Sequence, residues 1–532
     1  MDGMGDATMG EDMLTCVDPP ENPEAPDVEY ALHYVYGYRC ADTRQNCYFN
    51  DKGQVIFMTA AVGVQLDPSS NTQKFFGGGP VGPSHKAHDG AARQHSDDIM
   101  CIALCPQRRL AATGQVGSRP AVFAWDTTTM ETKARWQLPK GSRGVKCIAW
   151  NRSASRVACV DNHNDHWLRV YEIGQNAPVF EQKMGSSVIY DVAWSPMEDR
   201  FACVGKNTVY FFNSSGSSYA GEKGITGGNL EVFTCVSFDA SGRAHVASVK
   251  CTIQTYEGRQ GGDVSRVHKS AIYALHIDEN GEVWTGGRSN IVSGSNGGSI
   301  TFERDIRSID SHGNTLLVGT RDGTITMVNK DGSNRREVMH SHSDGEVWGY
   351  ASCNGGQHVL TSADDNKLML WDTKERRRAG QGTVNEKAVH KKSGASTLSH
   401  YPANQQARAV AINQTNGHVA VSDNLGDVTI RAGVKDLDSV QATLKQPREW
   451  CEAIEFSPCG KYLAVGSHDN NIYIYDGDYN HIGTCKGHNS FITALDWSCD
   501  SKYVRSNCGA YELLFFDRDD SWGQDKRKLG SN

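Results

Sequence analysis

Two stretches of this sequence contain side chains that could do chemistry. Asp161-Asn-His-Asn-Asp-His166 has the composition of a metal site, because carboxylates and imidazoles are common metal ligands. The same residue types form tight turns between strands, where Asp and Asn side chains hydrogen-bond the backbone, and the sequence favours this turn. Gly77 to Lys86 is glycine-rich and ends in Lys. It lacks the G-K-[ST] ending and no helical pattern follows, so we interpret it as a linker and not as a phosphate-binding loop.

The remaining catalytic patterns are missing from the sequence. There is no G-x-S-x-G, no H-E-x-x-H and no EF-hand spacing, which are the arrangements that serve acyl transfer, zinc hydrolysis and calcium binding. We therefore predict that the protein is not an enzyme and that it has no catalytic residue, no cofactor and no metal.

The densest group of positive charges follows a Trp-Asp pair at 371–372. A solvated loop is one interpretation of this basic stretch, and docking onto an acidic partner surface is the other, because clustered cations attract and hold anionic partners. The candidate binding residues are Lys374, Arg376, Arg377, Arg378, Lys387, Lys391 and Lys392.

Composition excludes several classes of protein. The 532 residues carry a formal net charge of −8, whereas a dedicated nucleic-acid binder is usually basic, so neither nucleic acid nor a membrane is expected as a partner. The first 38 residues contain no Lys or Arg and no apolar run, so no targeting segment is predicted. The 16 cysteines form no C-x-x-C pair, which indicates reduced, structural thiols in the cytoplasm.

A repeating unit organises most of the chain. One copy runs Ile99–Pro106, Arg109–Gly114 and Ala121–Asp126, three short β-patterned runs separated by turns, and altered copies follow at intervals of roughly 41 to 46 residues. This period with a Trp-Asp ending is typical of WD-repeat β-propeller blades. Eleven units are predicted, with runs ending near Leu66, Asp126, Tyr171, Phe212, Tyr256, Ser293, Met327, Asp372, Ile430, Asp476 and Asp517. The predicted fold class is all-β, and eleven blades exceed one ring, so two rings are expected.

Two histidines suggest the hydrogen-bond network that such blades contain. His342 precedes a first strand, and Ser362, with Asp364 or Asp365, occupies the turn before Trp371. Buried polar groups need partners, so we predict a structural network of His342, Ser362, Asp364 and Trp371. The unit that follows His488 has no matching Asp and is interpreted as degraded.

The segment before the first complete unit resembles the HELP motif of the echinoderm microtubule-associated protein-like family. The matching stretches are Tyr34–Arg39, Arg44–Asn50, Gly53–Phe57 and Ala60–Val64, and further landmarks are Thr113–Val116, Val160–His166, Glu346–Gly349, Gly466–Asn470 and Gly487–Thr493. The resemblance implies tandem propellers that bind tubulin, with the HELP segment at the interface between the rings. It assigns structural roles to Tyr34, Tyr36, Gly37, Tyr38, Arg39, Val55, Phe57, Val62 and Gly63.

The sequence departs from the family pattern at three places. Residues 1–29 are acidic and lack heptads, so no coiled-coil self-association is expected. The basic stretch looks like a long junction, and about two blades of the family pattern are missing at the end. The expected organisation is an acidic disordered tail (1–29), a HELP segment (30–85), a closed first propeller of about seven blades (86–373), a basic junction (374–404) and an incomplete, open second propeller (405–532).

Two functions remain open at this stage. The leading prediction is a non-enzymatic microtubule-associated scaffold that binds tubulin through propeller surfaces, in the cytoplasm and its microtubule cytoskeleton, including cilia or flagella. The alternative is a general WD-repeat adaptor, such as a ubiquitin-ligase substrate receptor. Such receptors often show W-D-x-R, and here Lys374 replaces the Arg, which disfavours the alternative.

Overall fold

The computed structural model describes residues 31–79, 94–216, 218–228, 231–343, 345–384 and 406–525. These residues form eleven four-stranded antiparallel sheets, each with its strands in sequential order. One 3-10 turn, Asn354–Gly356, is the helical element of the described residues. None of the described residues belongs to a helix long and apolar enough to cross a membrane.

The first sheet comes from the HELP segment and the next six follow in chain order. The HELP sheet consists of β1 (Cys47–Phe49), β2 (Val55–Thr59), β3 (Val62–Asp67) and β4 (Thr72–Phe76). The six sheets after it are β5 (Ile99–Leu104), β6 (Leu110–Gln115), β7 (Ala121–Asp126) and β8 (Thr132–Gln137); β9 (Val145–Trp150), β10 (Arg156–Asp161), β11 (Trp167–Glu172) and β12 (Phe180–Lys183); β13 (Ile189–Trp194), β14 (Arg200–Gly205), β15 (Thr208–Ser215) and β16 (Ser218–Lys223); β17 (Phe233–Phe238), β18 (Ala244–Ser248), β19 (Thr252–Glu257) and β20 (Gln260–Arg266); β21 (Ile272–Ile277), β22 (Val283–Gly287), β23 (Ile291–Gly294) and β24 (Ser299–Thr301); β25 (Ile306–His312), β26 (Thr315–Thr320), β27 (Ile325–Asn329) and β28 (Arg336–Met339).

Four more sheets follow in the second half of the chain. They are β29 (Val347–Cys353), β30 (His358–Ala363), β31 (Lys367–Asp372) and β32 (Arg377–Thr383); β33 (Ala407–Ile412), β34 (Val419–Asp423), β35 (Val428–Gly433) and β36 (Asp436–Leu444); β37 (Ala453–Phe456), β38 (Leu463–Gly466), β39 (Ile472–Tyr475) and β40 (His481–Cys485); β41 (Ile492–Trp497), β42 (Tyr503–Cys508), β43 (Leu513–Asp517) and β44 (Gly523–Gln524). Each predicted run end lies in, or one residue beyond, the third strand of a sheet, so the all-β prediction and the count of eleven units are confirmed for the described residues.

The HELP sheet is itself a blade that closes the first ring. On one face, Ile56 and Met58 pack with Phe123 and Trp125 of the β5–β8 sheet. On the other face, Phe57 and its neighbours pack with β26–β28 through Leu317, Ile325 and Met339. Because further apolar clusters join the sheets between β5 and β28 in series, seven sheets close on each other with no open edge between blades.

An ion pair with a buried carboxylate stabilises the same closure. Arg108, in the turn after β5, binds both carboxylate oxygens of Asp310 on β25, at 2.6 and 3.0 Å. It also donates to the carbonyl oxygen of Phe49 on β1 at 2.8 Å, while the Phe49 amide donates to Asp310 at 2.7 Å. Three sheets therefore meet at one bidentate guanidinium–carboxylate contact, the strongest geometry for such pairs.

The last four sheets form an arc. Apolar clusters join β29–β32 to β33–β36, then β33–β36 to β37–β40, and then β37–β40 to β41–β44. Among the described residues no such cluster joins the β41–β44 sheet back to β29–β32, and the open second propeller stays a prediction.

The predicted boundary between the rings differs from this packing. The predicted first propeller ends at residue 373 and the predicted junction covers 374–404, whereas the β29–β32 sheet packs on β33–β36. We therefore infer that the second unit begins near Val347. Residues 377–383 form the outer strand β32, which is polar because it faces solvent. The polar composition of an outer strand was thus interpreted as a linker. Residues 1–29 and 385–404 lie outside the described residues.

Candidate interaction surfaces

The blade network around His342 uses neighbours of the predicted residues. His342 Nδ1 lies 3.0 Å from Asp365 Oδ1, and its Nε2 lies 2.8 Å from Thr361 Oγ1. The Trp371 indole donates to the same Thr361 oxygen at 2.8 Å. His342 and Trp371 both belong to this network. Thr361 takes the part given to Ser362, and of the two neighbouring carboxylates Asp365, not Asp364, contacts the ring. The physical reason is that successive strand residues point to opposite faces.

The first complete blade contains the same network, which sequence reasoning missed. His95 Nε2 lies 2.7 Å from Thr113 Oγ1 and Nδ1 lies 2.8 Å from Gln115 Oε1, while Trp125 donates to Thr113 at 3.1 Å. Gln115 stands where such a network usually has an Asp, so the sequence pattern did not indicate this network. Burial lowers the pKa of His95 to about 4, so the ring is neutral at physiological pH.

The network after His488 is complete in another form. Its Nε2 lies 2.7 Å from Ser506 Oγ, and its Nδ1 lies 3.5 Å from the carboxylate of Glu512. Glu512, His488 and Cys508 place three potential metal ligands within 4.8 Å of one another. The Glu512 carboxylate already accepts from the Asn489 amide and from the Cys508 thiol, so we assign this group to the blade network.

The Asp161 stretch forms a turn, as the sequence favoured. Asp161 Oδ2 accepts from Ser142 Oγ at 2.6 Å and from Arg169 Nη1 at 2.7 Å. Its Oδ1 accepts from the backbone amides of His163 and Trp167. The carboxylate is thus saturated by protein donors, which explains its burial.

The HELP residues lie at two interfaces. Tyr38, Val55, Phe57 and Val62 are buried within the first ring, and Arg39 pairs with Asp42 and with Asp98, each at 2.7 Å. A Cβ on Gly37 would lie 2.9 Å from Thr59 Oγ1, and one on Gly63 would lie 2.6 Å from the Trp125 ring, so both positions require glycine. Tyr36 contacts Trp371 of the second unit with ring centroids 5.0 Å apart, and the Tyr34 ring lies 4.9 Å from the Tyr36 ring at an angle of 54°.

The basic stretch divides into anchored and free cations. Arg376 lies over the Tyr34 ring and donates to His33 at 3.1 Å, and Arg378 donates to Gln381 at 2.7 Å and pairs with Glu337 at 3.5 Å. Lys374 and Arg377 are exposed and make no ion pair with the described residues. Lys387, Lys391 and Lys392 lie outside the described residues. The structure therefore brings Arg376 to the HELP segment and leaves two cations at the surface.

A row of aromatic side chains crosses the second unit, and sequence reasoning did not assign it. The Arg408 guanidinium lies between the rings of Trp348 and Trp450, at 4.4 and 4.5 Å. Trp450 contacts His468 at 5.5 Å, and His468 stacks on Phe491 at 4.6 Å. We call Trp348, Arg408, Trp450, His468 and Phe491 the aromatic row. Trp348, His468 and Phe491 lie within three of the family landmarks, which was the available signal in the sequence.

Two residues of the predicted blade network hold this row in place. Asp364 Oδ1 accepts from the Trp348 indole at 2.9 Å and from Arg408 Nη1 at 3.2 Å. Ser362 Oγ donates to the Arg408 carbonyl oxygen at 2.9 Å. The row is thus fixed before any partner arrives, although Trp348, Trp450 and Phe491 keep 44%, 39% and 38% of their surface exposed.

The exposed aromatics are concentrated in one unit. Among the described residues, all five aromatic side chains with large exposure, namely Trp348, Tyr350, Trp450, Phe491 and Tyr511, lie in the second unit. Trp348 and Tyr350 also line the concave groove of about 660 Å³ along the arc. Exposed aromatic patches of this kind mark interaction surfaces.

Fold and surfaces together define a WD-repeat protein with tandem β-propeller units. The family models that match are the echinoderm microtubule-associated protein first β-propeller at residues 93–306, its second β-propeller at 347–528 and the HELP motif at 25–64. The chain is 41% identical over 510 residues to ciliary WD repeat-containing protein ctxp80 of Euplotoides octocarinatus, covering 93% of this chain and 71% of that protein.

Two human relatives align with the same share of this chain at lower identity. Echinoderm microtubule-associated protein-like 1 is 27% identical over 524 residues, and echinoderm microtubule-associated protein-like 4 is 28% identical over 542 residues. Each alignment covers 93% of this chain, which spans 60% and 51% of those two proteins. The chain belongs to the echinoderm microtubule-associated protein-like family.

Proposed function

We propose that this protein is a non-enzymatic microtubule-associated scaffold that binds tubulin through the aromatic row of its second unit, with Lys374 and Arg377 contributing charge. The family names of its relatives support a microtubule partner, and the ciliary name of one relative supports a place on ciliary as well as cytoplasmic microtubules. The observation that carries the proposal is the aromatic row itself.

The row has the properties of a binding hot spot. Such sites are enriched in Trp, Tyr and Arg that are rigid before binding. Here Arg408 is 4% exposed and is held by Asp364 and two indoles, so the exposed ring faces lose little conformational entropy when a partner covers them. A tubulin surface that covers Trp348 and Trp450 would gain apolar burial at low ordering cost.

The basic side chains supply the second part of the interaction. The acidic tails of tubulin, the partner that the family suggests, attract exposed cations at low ionic strength. Lys374 and Arg377 meet this requirement because neither is paired with a described carboxylate. Arg376 and Arg378 contribute to the local potential while their guanidinium groups stay anchored.

Co-sedimentation with assembled microtubules tests the role of the row. Replacing Trp348 and Trp450 together by Ala should weaken binding at least roughly tenfold, since hot-spot truncations cost about 2 kcal/mol or more. The matched control is Met197→Ala with Val264→Ala in the first ring, where the side chains are 55% and 43% exposed and binding should not change. Gel filtration with free tubulin dimers, run beside it, separates lattice binding from dimer binding.

One result would contradict the proposal, and a second variant controls for misfolding. If the Trp variant and the control bind microtubules with equal affinity, the row is not part of the interface. Loss of thermal stability in the Trp variant would be repaired by Trp348→Tyr with Trp450→Tyr, which keeps an aromatic face over Arg408. Undiminished binding by a folded Ala variant, to microtubules or to free tubulin dimers, would then show that the row does not bind tubulin.

A further inference from the structure

The centre of the first ring contains a layer of side chains set by a repeated β-bulge. In each innermost strand from β5 to β25 the pairing register skips one residue near the strand start. A bulge of this kind re-aims a side chain out of the ladder. The skipped residues line one cavity of about 390 Å³ in the ring, and they are Met100, Lys146, Tyr190, Thr234, Tyr273 and Arg307.

Three cations meet in this cavity. Lys146 and Arg307 come from the bulge layer, and Arg44 enters from the HELP segment just before β1. The Arg44 guanidinium lies 5.7 Å from the Tyr190 ring centre and that of Arg307 lies 5.0 Å from Tyr273. Cation–π contacts position a guanidinium without neutralising its charge.

The two guanidinium groups are not neutralised by contact ion pairs within the described residues. Neither Arg44 nor Arg307 makes an ion pair with a carboxylate of the described residues, although Arg44 donates to the Thr234 carbonyl oxygen at 3.2 Å. The Nε of Arg307 is buried and makes no hydrogen bond within the described residues. Burial, together with the charges of Arg321 and Arg44, lowers the pKa of Arg307, although the Asp305 carboxylate acts in the opposite direction. The free protein therefore keeps like charges close together.

The two carboxylates that line the cavity accept their hydrogen bonds from groups other than its three cations. Asp42 is bound by Arg39 through two contacts of 2.9 and 2.7 Å. Asp191 accepts the backbone amides of Val192 and Val236, each at 2.9 Å. Asp42 also attracts Lys146, and Asp191 attracts Arg44, but the three lining cations outnumber these two carboxylates. The cavity therefore holds an excess of positive charge and an unused donor at Arg307 Nε.

We propose that this channel cavity binds a phosphate dianion, free or carried by a small organic molecule. Two guanidinium forks and one ammonium offer the planar and point-charge donors that phosphate oxygens accept. The volume admits a phosphate with a sugar-sized substituent, and the tyrosines give that substituent aromatic walls. This site is independent of the proposed tubulin surface, which lies on the second unit.

Calorimetry and thermal unfolding of the full chain at constant ionic strength test the proposal. Inorganic phosphate and ribose 5-phosphate serve as probes, with chloride as the reference anion. Both phosphates should raise the melting temperature of the wild type and titrate with one site per chain. A preference for ribose 5-phosphate would assign the cavity to phosphate esters, and equal affinity would assign it to free phosphate.

Matched variants locate the binding. Arg307→Met keeps an unbranched apolar stem against Tyr273 and removes the charge, so affinity should fall at least tenfold while the melting temperature without phosphate stays equal or rises. Arg44→Gln should also lose at least tenfold, and it replaces Arg307→Met if that variant fails to fold. Arg259→Gln, at an exposed hairpin of the ring, should bind like the wild type. Absence of a titration at millimolar phosphate, or equal affinity in all four proteins, would overturn the proposal.

Discussion

Thr361 and Ser362 are neighbours that serve different purposes. The Thr361 hydroxyl completes the buried network of His342 and Trp371, whereas the Ser362 hydroxyl supports Arg408 of the aromatic row. One strand therefore links a structural network on one face to an interaction surface on the other.

The buried histidine of the first complete blade should make stability depend on pH. Its pKa in the folded state is about 4, below the ordinary value of roughly 6.5 in an unfolded chain. Between these values the unfolded state binds more protons, so the stabilisation by neutral His95 is present above pH 6.5 and is lost as the pH falls toward 4. Between pH 7 and pH 5 this loss should be about 2 kcal/mol.

Comparison of the wild type with His95→Gln isolates this contribution. Thermal unfolding at pH 7 and at pH 5 should show a smaller drop in melting temperature for the variant, because the other histidines titrate equally in both proteins. The same drop in both would mean that His95 is not the titrating group.

Residue types alone could predict part of these networks. His342 and Trp371 were found because their spacing matches a Trp-Asp ending, and their roles follow from the need to satisfy buried polar groups. The choice between Asp364 and Asp365 depends on the strand register, because a shift of one residue moves each side chain to the opposite face of the sheet. Gln115 and Glu512 escaped notice because each performs the part of an Asp with a different side chain.

At the scale of the element, the closure of the first ring depends on Arg108. Replacing Arg108 by Met should lower the free energy of unfolding by about 3 kcal/mol, because Asp310 would remain buried without its cation. Urea unfolding followed by tryptophan fluorescence measures the change.

The neighbouring Arg109 provides a control within the same turn. It pairs with Asp51 at 3.0 Å, but 75% of its side chain is exposed, and Arg109→Met should change stability by less than about 0.5 kcal/mol. Similar unfolding midpoints for the two variants would show that the ion pair does not fasten the ring.

The sequence pattern located the strands better than it grouped them. All eleven third strands lie where the predicted run ends indicated, since each run is short, β-branched and bounded by turns. The grouping failed because packing between sheets leaves no period in the sequence. The HELP strands, Val55–Thr59 among them, were predicted to be a segment between the rings, although both faces of their sheet are buried in the first ring.

At the scale of the whole molecule, the two exposed cations of the basic stretch should control the salt dependence of microtubule binding. Lys374→Glu with Arg377→Glu should weaken co-sedimentation roughly fivefold at low salt and flatten its dependence on ionic strength, because screened charge contacts are lost. Arg376→Glu serves as the contrast, and it should lower the melting temperature because the HELP contacts break. Unchanged low-salt affinity of the double variant would assign these side chains to a solvated loop.

The seam between the HELP sheet and β25 also affects the order in which the chain can fold during synthesis. The Phe49 amide and the Asp310 carboxylate that meet there are 261 residues apart. At a synthesis rate of about 5–20 residues per second the HELP sheet waits on the order of tens of seconds for its partner. During that interval the face that contains Phe57 and Val64 has no cover from Leu317 or Met339. The nascent chain therefore exposes an apolar sheet at the ribosome, and chaperone demand should be greatest before β25–β28 emerge.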